Sequence, residues 1–240
     1  MIRMQMIRNK NKVVFKKLTS ESVELGMLLA IVGGFLDAYT FVGRGGVFAN
    51  AQTGNVVLMG IKAATGEWGQ AVLYAVPILA FMAGVVVAEM IKKLSMRLLI
   101  TDFERAVLIL ETAVLFVVGF IPYTSPNIIV TVAVSFVSSV QISSFRKLVG
   151  STYSTTMVTG NLRSATQEAY IAFTKKDDES ARRTIRYTTI NLSFLAGAIL
   201  GGLLTSFIGV KAVWIAVVVL ICSIILFNNE LKSKDAVIEI

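Results

Sequence analysis

Long apolar runs separated by short polar segments dominate the chain. Six of the runs approach the length of about 20 residues that lets an α-helix cross the hydrocarbon core of a bilayer. They are Val23–Phe41, Val72–Ile91, Ala106–Ile121, Ile128–Phe145, Thr189–Ile208 and Ala212–Phe227. The pattern therefore predicts an all-α integral membrane protein with six transmembrane helices.

Two further segments, Val47–Ala64 and Thr152–Phe173, are too polar to face lipid. The second contains Arg163 and Glu168, and an arginine at the centre of a membrane helix costs about 2.5–3.5 kcal/mol on the insertion scale. Irregular or polar segments at membrane depth are tolerated where protein surrounds them. We therefore expect two re-entrant or broken helices in addition to the six spans.

The distribution of basic residues supports this count. With six spans and a cytoplasmic N-terminus, all but Arg44, Lys62 and Lys211 of the 23 Lys and Arg residues fall on the cytoplasmic side, as the positive-inside rule requires. Eight full spans would place more of them outside. The prediction is a basic cytoplasmic tail over residues 1–22, which attracts anionic lipid, and a cytoplasmic C-terminal tail over residues 229–240.

An internal repeat divides the chain into residues 23–121 and 128–228. Three pairs of motifs recur in the same order: Thr53-Gly54-Asn55 and Thr159-Gly160-Asn161, Phe81–Gly84 and Phe194–Gly197, Arg105-Ala106-Val107 and Lys211-Ala212-Val213. Each half then reads as span, re-entrant segment, span, span. Because three spans is an odd number, the halves must cross the membrane in opposite directions, as inverted repeats do in many transporters.

Composition narrows the function classes. The chain is 55% hydrophobic and 16% charged, has no histidine, and has one cysteine, Cys222, within the last apolar run. The commonest general base and zinc ligand are therefore missing, and we expect no metal and no cofactor. The net charge is +8, and the Lys and Arg residues behind it cluster between the apolar runs. Basic residues in such positions orient membrane spans, so we expect no nucleic-acid partner.

The two Thr-Gly-Asn (TGN) motifs, Thr53–Asn55 and Thr159–Asn161, are the main candidates for a binding site. If each begins a half-helix, its free N–H groups and positive dipole end face the protein interior, where they suit a solute or an anion. The alternative is a tight helix-packing motif. The candidate substrate-binding residues are Asp37, Asn50, Gln52, Thr53, Gly54, Asn55, Gln141, Thr155, Thr156, Thr159, Gly160, Asn161, Arg163 and Asn191.

Three ionisable residues carry open alternatives. Asp37, within the first span, is either a proton relay or a cap for the N–H groups of the adjacent re-entrant segment. Glu111, in the third span, is either a proton carrier or a buried partner for a hydroxyl. Arg163 either binds an anionic substrate group or has a structural role, in which it pairs with Glu168 or extends its side chain to the cytoplasmic surface.

The segment Gly33–Gly60 resembles the YoaK-like family of bacterial membrane proteins. The similarity continues through Phe81–Gly84, Glu111, the second TGN motif and Phe194–Gly197. The resemblance implies a six-span protein of the bacterial inner membrane and names no substrate.

These observations predict a transporter or channel for a small solute. They leave open whether the substrate is an anion, whether transport is coupled to protons and whether the protein forms a homo-oligomer. One alternative is an intramembrane enzyme that uses Asp37 and Glu111 as an acid pair. Another is a non-catalytic membrane scaffold or sensor.

Overall fold

The computed structural model describes residues 22–98, 103–148, 151–152 and 154–238, and these are almost entirely helical. The helices are α1 (Val23–Gly43), α2 (Gln52–Ala64), α3 (Trp68–Leu98), α4 (Phe103–Val118), α5 (Asn127–Ser144), α6 (Val158–Lys175), α7 (Asp178–Ile208) and α8 (Val213–Ile238), with a 3-10 turn at Gly209–Ala212. A short antiparallel ladder, β1 (Lys147–Leu148) with β2 (Ser151–Thr152), precedes α6. The all-α prediction missed this ladder, which is too short to leave a pattern of alternating residues.

Four helical stretches are long and apolar enough to cross a membrane: Val23–Gly43, Trp68–Leu94, Asn127–Ser144 and Asp178–Asn228. The last has 51 residues and contains α7, the 3-10 turn and the apolar part of α8, so it holds two of the predicted spans. Helix α4 carries the remaining predicted span and has only 16 residues. The protein is thus an all-helical membrane protein, and every predicted span lies essentially within one helix.

Apolar side chains cover the outside of the bundle. In the most apolar 18-residue stretch of α3 only 22% is buried. The side chains of Leu79 and Met82 there are more than half exposed. Leu195 and Phe207 on α7 are similarly exposed. Contiguous apolar surface of this extent is not stable in water, so these side chains face lipid.

Helices α1 and α7 pack closely and run in the same direction. A Cβ atom on Gly34 would clash with the carbonyl of Phe194, one on Gly197 with that of Ile31, and one on Gly201 with that of Phe35. Small residues of this kind let membrane helices approach to backbone contact. We call the end at which α1 begins the Ser22 end of the bundle, and the end at which it stops the Arg44 end.

Helices α3 and α5 form a second parallel pair that runs in the opposite direction. Gln70 at the beginning of α3 and Asn127 at the beginning of α5 line one pocket together with Arg44, so both helices begin at the Arg44 end. Gly84 of α3 then meets the backbone of Phe136 in α5. The motifs that recur in the sequence, at Gly84 and Gly197, therefore make the same kind of contact in the two pairs.

Helices α4 and α8 pack against each other beside the two pairs. The indole N–H of Trp214, at the beginning of α8, donates to the carbonyl of Phe116 near the end of α4 at 3.1 Å. Helix α4 also contacts α5, and α8 contacts α1. This arrangement brings the apolar faces of all four helices into one core with Leu108, Leu115 and Leu220.

The two predicted tails lie before α1 and at the end of α8. The basic tail lies outside the described residues except for Ser22, whose hydroxyl accepts from the N–H of Leu25 and caps α1. At the other end α8 continues as a helix to Ile238, so most of the predicted C-terminal tail extends the last helix.

Candidate functional site

The N-terminus of α2 lies against the middle of α1. The Oδ1 atom of Asp37 accepts hydrogen bonds from the N–H groups of Asn50 at 2.6 Å and Ala51 at 3.2 Å. The side-chain amide of Asn50 donates to the carbonyl of Gly33 at 3.1 Å. Because no side chain of its own segment caps α2, Asp37 supplies this cap from a neighbouring helix, which is one of the two roles predicted for it.

The TGN motif lies in the first turn of α2, and its asparagine holds the segment that leads into the helix. Asn55 accepts from the N–H of Phe48 at 2.9 Å and donates to the carbonyl of the same residue at 2.8 Å. It also donates to Oε1 of Gln52 at 2.9 Å. Asn55 is fully buried, so its amide has a structural role in holding the segment before α2.

The second TGN motif repeats this arrangement at the beginning of α6. Asn161 accepts from the N–H of Ser154 at 3.4 Å and donates to its carbonyl at 2.6 Å. In both halves the residue held in this way precedes the asparagine by seven positions. The two TGN motifs therefore do the same structural work.

The two helix N-termini converge on one residue of α1. A Cβ atom on Gly33 would lie 2.5 Å from Cγ2 of Thr156, two residues before α6 begins, while the carbonyl of Gly33 accepts from Asn50. From this point α2 leads to α3, which begins at the Arg44 end. Helix α6 leads to α7, which runs parallel to α1 and begins at the Ser22 end.

Several buried polar atoms in the described part of the chain have no hydrogen-bond partner, and they lie on α1, on the segments before α2 and α6, and on α5 and α7. They include Asp37 Oδ2, Asn50 Oδ1, Ser135 Oγ, Ser138 Oγ, Gln141 Nε2, Thr155 Oγ1 and both side-chain amide atoms of Asn191. A buried polar atom without a partner costs free energy. Water or a polar solute that reached these atoms would remove that cost.

Other predicted residues do not belong to this buried set. Thr53, Thr159, Gly160 and Arg163 are exposed, on the outer faces of α2 and α6. Gly54 packs beneath the ring of Phe48, which a Cβ atom would meet at 2.8 Å. Helical periodicity explains this division, since only one side of each short helix can face the protein.

Arg163 makes no ion pair with Glu168, the partner considered for it. Glu168 instead contacts Arg183 of α7 at 3.6 Å. The side chain of Arg163 is exposed and is not one of the buried polar groups.

Glu111 and Asp37 do not form an acid pair in this structure. Glu111 is 1% exposed, and neither of its carboxylate oxygens has a hydrogen-bond partner. Its helix, α4, packs mainly on α5 and α8. Among the described residues no hydroxyl lies within hydrogen-bonding distance of Glu111 either. Within the described residues there is also no group of three His, Cys, Asp or Glu side chains placed to hold a metal ion.

Arg44 is a buried cation that the sequence did not reveal. It follows α1 in a glycine-rich turn, where a basic residue is ordinarily solvated, yet its side chain is fully buried. Its guanidinium donates to the carbonyls of Ile121 and Pro122, which lie more than 70 residues further along the chain. A basic residue between glycines next to a span was the only signal available.

Comparison with known proteins gives the family. A model of the family described as "Protein of unknown function (DUF1275)" matches residues 25–226. The chain belongs to this family. It is also similar to the "UPF0700 transmembrane protein YoaK" of Bacillus subtilis (strain 168), with 24% identity over 200 residues, 80% of this chain and 88% of that protein. The predicted YoaK-like resemblance is therefore confirmed.

The family match covers both TGN motifs and all of the buried polar residues described above. The name of the Bacillus subtilis relative describes a transmembrane protein, in agreement with the apolar helices. No solved structure matches the chain significantly.

Proposed function

We propose that this protein is a transporter or channel for a small solute, with a binding site where α2 and α6 begin. The observation that carries the proposal is the meeting of two helix N-termini at Gly33. Helix α1 has 21 residues, about 31 Å at 1.5 Å per residue, and Gly33 is its central residue. The meeting point therefore lies near the midplane of a bilayer.

The chemistry of this point suits a polar solute. The partial positive charge at the beginning of α6 favours an anion or a carbonyl oxygen, whereas the beginning of α2 is already occupied by the carboxylate of Asp37. The unpartnered side-chain oxygens of Asn50 and Thr155, next to this point, add an acceptor and a hydroxyl. Intramembrane polar groups of this kind commonly mark solute pathways.

The helix directions support inverted repeats as the architecture. The pair α1 and α7 and the pair α5 and α3 correspond by position in the two halves and run in opposite directions. Likewise α2 leads from Gly33 to the Arg44 end, and α6 leads to the Ser22 end. We therefore propose six spans, counting α4, and two re-entrant half-helices, in the plan that many secondary transporters use.

The charge distribution orients this plan in a bacterial cytoplasmic membrane. The Ser22 end, with the loop from Lys175 to Arg186, is placed in the cytoplasm, and the Arg44 end outside. Asp37 keeps two roles in this proposal, because Oδ1 caps α2 while Oδ2 has no partner. Proton coupling would use the second oxygen.

The test adds a methyl group at the meeting point and then removes a neighbouring methyl group to make room for it. In Gly33→Ala the new methyl group would meet Cγ2 of Thr156 at 2.5 Å, so the Thr156 side chain must rotate or the segment before α6 must shift. We expect liposome uptake from a panel of small anions and neutral solutes to fall at least tenfold. The double variant Gly33→Ala with Thr156→Ser lacks that methyl contact and should recover most of the uptake.

Gly202→Ala is the matched control, because a Cβ atom at Gly202 has no neighbour within 4 Å and the residue lies in the parallel helix α7. Uptake by this variant should equal that of the wild type. If no solute of the panel crosses wild-type liposomes faster than protein-free liposomes, the transport proposal fails. If Gly33→Ala transports normally, the site is elsewhere.

A further inference from the structure

The beginning of α2 is closed by two side chains of the protein itself. The carboxylate of Asp37 accepts hydrogen bonds from the N–H groups of Asn50 and Ala51, so an acid already occupies the positive end of this helix. The ring of Phe48 covers the first turn, because a Cβ atom on Gly54 would meet it at 2.8 Å. The beginning of α2 is therefore both neutralised and covered.

The beginning of α6 lacks this cover. The residue that corresponds to Phe48 is Ser154, since each is held by the asparagine seven positions later. A Cβ atom on Gly160, the counterpart of Gly54, would have no neighbour within 4 Å. Met157, the residue immediately before α6, is 64% exposed. The N-terminus of α6 is therefore open at the surface of the described part of the chain.

The donors at this N-terminus are incompletely satisfied. Within the described residues no carboxylate accepts a hydrogen bond from the segment 154–157. The N–H of Thr156 makes a long bond of 3.4 Å to the hydroxyl of Ser154, and the hydroxyl of Thr155 is buried without a partner. Free N–H groups in the first turn of an 18-residue helix, next to an unpartnered hydroxyl, indicate a missing acceptor.

The exposed face of α6 is polar along its length. Its side chains recur at the helical period and form one stripe, which we call the α6 stripe: Thr159, Arg163, Thr166, Gln167 and Tyr170. The residues that precede these by 106 positions form the exposed face of α2: Thr53, Val57, Gly60, Ile61 and Ala64. Apart from its threonine, the face of α2 suits lipid, whereas the α6 stripe does not.

Arg163 gives this stripe a charge at membrane depth. It lies about 7.5 Å beyond Val158, where α6 begins, and half of a bilayer core is about 15 Å. The Cα–Cβ bond of a helical residue tilts towards the helix N-terminus, which directs Arg163 towards the beginning of α6 and away from the cytoplasmic surface. Arg163 makes no ion pair with a described residue. An unpaired charge in this position is costly against lipid.

We propose that the beginning of α6 binds the carboxylate group of a small organic acid, which arrives through water along the α6 stripe. The inference rests on the proposed function and deepens it by naming the solute class. The first half provides the template, because the N-terminus of α2 holds the carboxylate of Asp37. At α6 the carboxylate comes from the solute, and its donors are the free N–H groups and the guanidinium of Arg163.

The experiment measures binding to the full-length protein in detergent, so that it does not depend on transport. Thermal unfolding is followed while sodium acetate, propionate or lactate replaces sodium chloride at constant ionic strength. Acetate is the side-chain group of Asp37 as a free molecule, and acetamide is its neutral counterpart. We expect at least one of the three carboxylates to raise the unfolding temperature in a saturable way and acetamide to leave it unchanged. A saturable rise with none of the carboxylates, or an equal rise with acetamide, would overturn the proposal.

A carboxylate built into the protein should displace the solute. Ser154→Asp places an acid beside the N–H of Thr156, which the wild-type hydroxyl already contacts, and should abolish the saturable response. Ser154→Asn has nearly the same size without the charge and should bind within about threefold of the wild type. Equal binding by the two variants would contradict the site. If Ser154→Asp does not fold, the variants of Arg163 decide.

Two cations of the same helix test the role of Arg163. Arg163→Gln removes the guanidinium and should weaken carboxylate binding at least tenfold. Lys175→Gln removes one positive charge from an exposed residue in the last turn of α6, about 18 Å further along the axis, and should leave binding unchanged. Equal weakening by both variants would mean that only the net charge matters and would contradict the assignment.

Cysteines test whether water lines the α6 stripe. In a Cys222→Ser background, Thr166→Cys should react with a membrane-impermeant thiosulfonate applied to both sides of vesicles. Gly60→Cys, at the corresponding position of α2, contacts lipid and should not react. An unreactive Thr166→Cys would mean that lipid or protein covers the stripe and would refute the proposal. Equal reaction of the two cysteines would also contradict it.

Transport and this site can fail separately. Carboxylate binding without liposome uptake of any solute would retain the site and reject transport. Uptake of other solutes without saturable carboxylate binding would retain transport and reject the site.

Discussion

Asn55→Ala should destabilise the protein more than Asn161→Ala. The wild-type amide of Asn55 makes three hydrogen bonds, two of them to the backbone of Phe48. Truncation leaves that N–H and carbonyl without their partner in the segment before α2. An orphaned buried polar group costs about 1–3 kcal/mol, so we expect a loss of about 2–6 kcal/mol, with the lower value if water replaces the amide.

The corresponding loss for Asn161→Ala should be smaller. Asn161 makes two bonds to Ser154, and the one it accepts is long at 3.4 Å. Its side chain is also slightly exposed, at 4%, which allows water to reach the orphaned groups. We expect roughly half the loss of Asn55→Ala.

The assay is reversible unfolding in mixed detergent micelles with increasing sodium dodecyl sulfate, followed by helical circular dichroism. Thr53→Ala is the matched control, since Thr53 lies in the same turn with an exposed side chain and should change stability by less than about 0.5 kcal/mol. The reasoning is refuted if Asn55→Ala is as stable as Thr53→Ala. It is also refuted if Asn161→Ala is the less stable of the two asparagine variants.

Three further outcomes are expected. Single cysteines introduced in residues 122–126 and in residues 175–186 should react with an impermeant maleimide from opposite sides of the membrane; labelling from one side would contradict the inverted repeat. Gly34→Ala, whose methyl group strikes a backbone carbonyl of α7, should lower the unfolding free energy by about 1–3 kcal/mol, whereas Gly202→Ala, with open space around it, should not lower it. A serine in the first turn of α7 donates hydrogen bonds to Asp177, chiefly from its hydroxyl, and these hold the pKa of that carboxyl below its ordinary value. The charged cap therefore stabilises the beginning of α7 at pH values above the ordinary pKa, and this stabilisation is lost as the pH falls through the folded-state pKa. Hydrogen exchange at the start of α7 should accelerate in acid, and Asp177→Asn, which caps the helix without titrating, should abolish that change.

The sequence by itself determined the membrane class, the helices and the position of the two unusual segments. Hydropathy is a local property, so a run that suits lipid is visible without knowledge of its neighbours. The TGN motifs indicated helix starts, and both lie in the first turn of their helices. The alternative of a cap was also readable for Asp37, because a carboxylate within a span has few partners other than a nearby helix N-terminus.

Only the tertiary structure decided which polar side chains face the interior. Asn55 and Asn161 turn inward while Thr53, Thr159 and Arg163 turn outward, a choice set by the rotation of each short helix against its neighbours. The burial of Arg44 was equally hidden, because its carbonyl partners at Ile121 and Pro122 are distant in the chain. A local pattern records the cost of placing a charge in lipid, but the hydrogen bonds that offset this cost come from residues that only folding brings together.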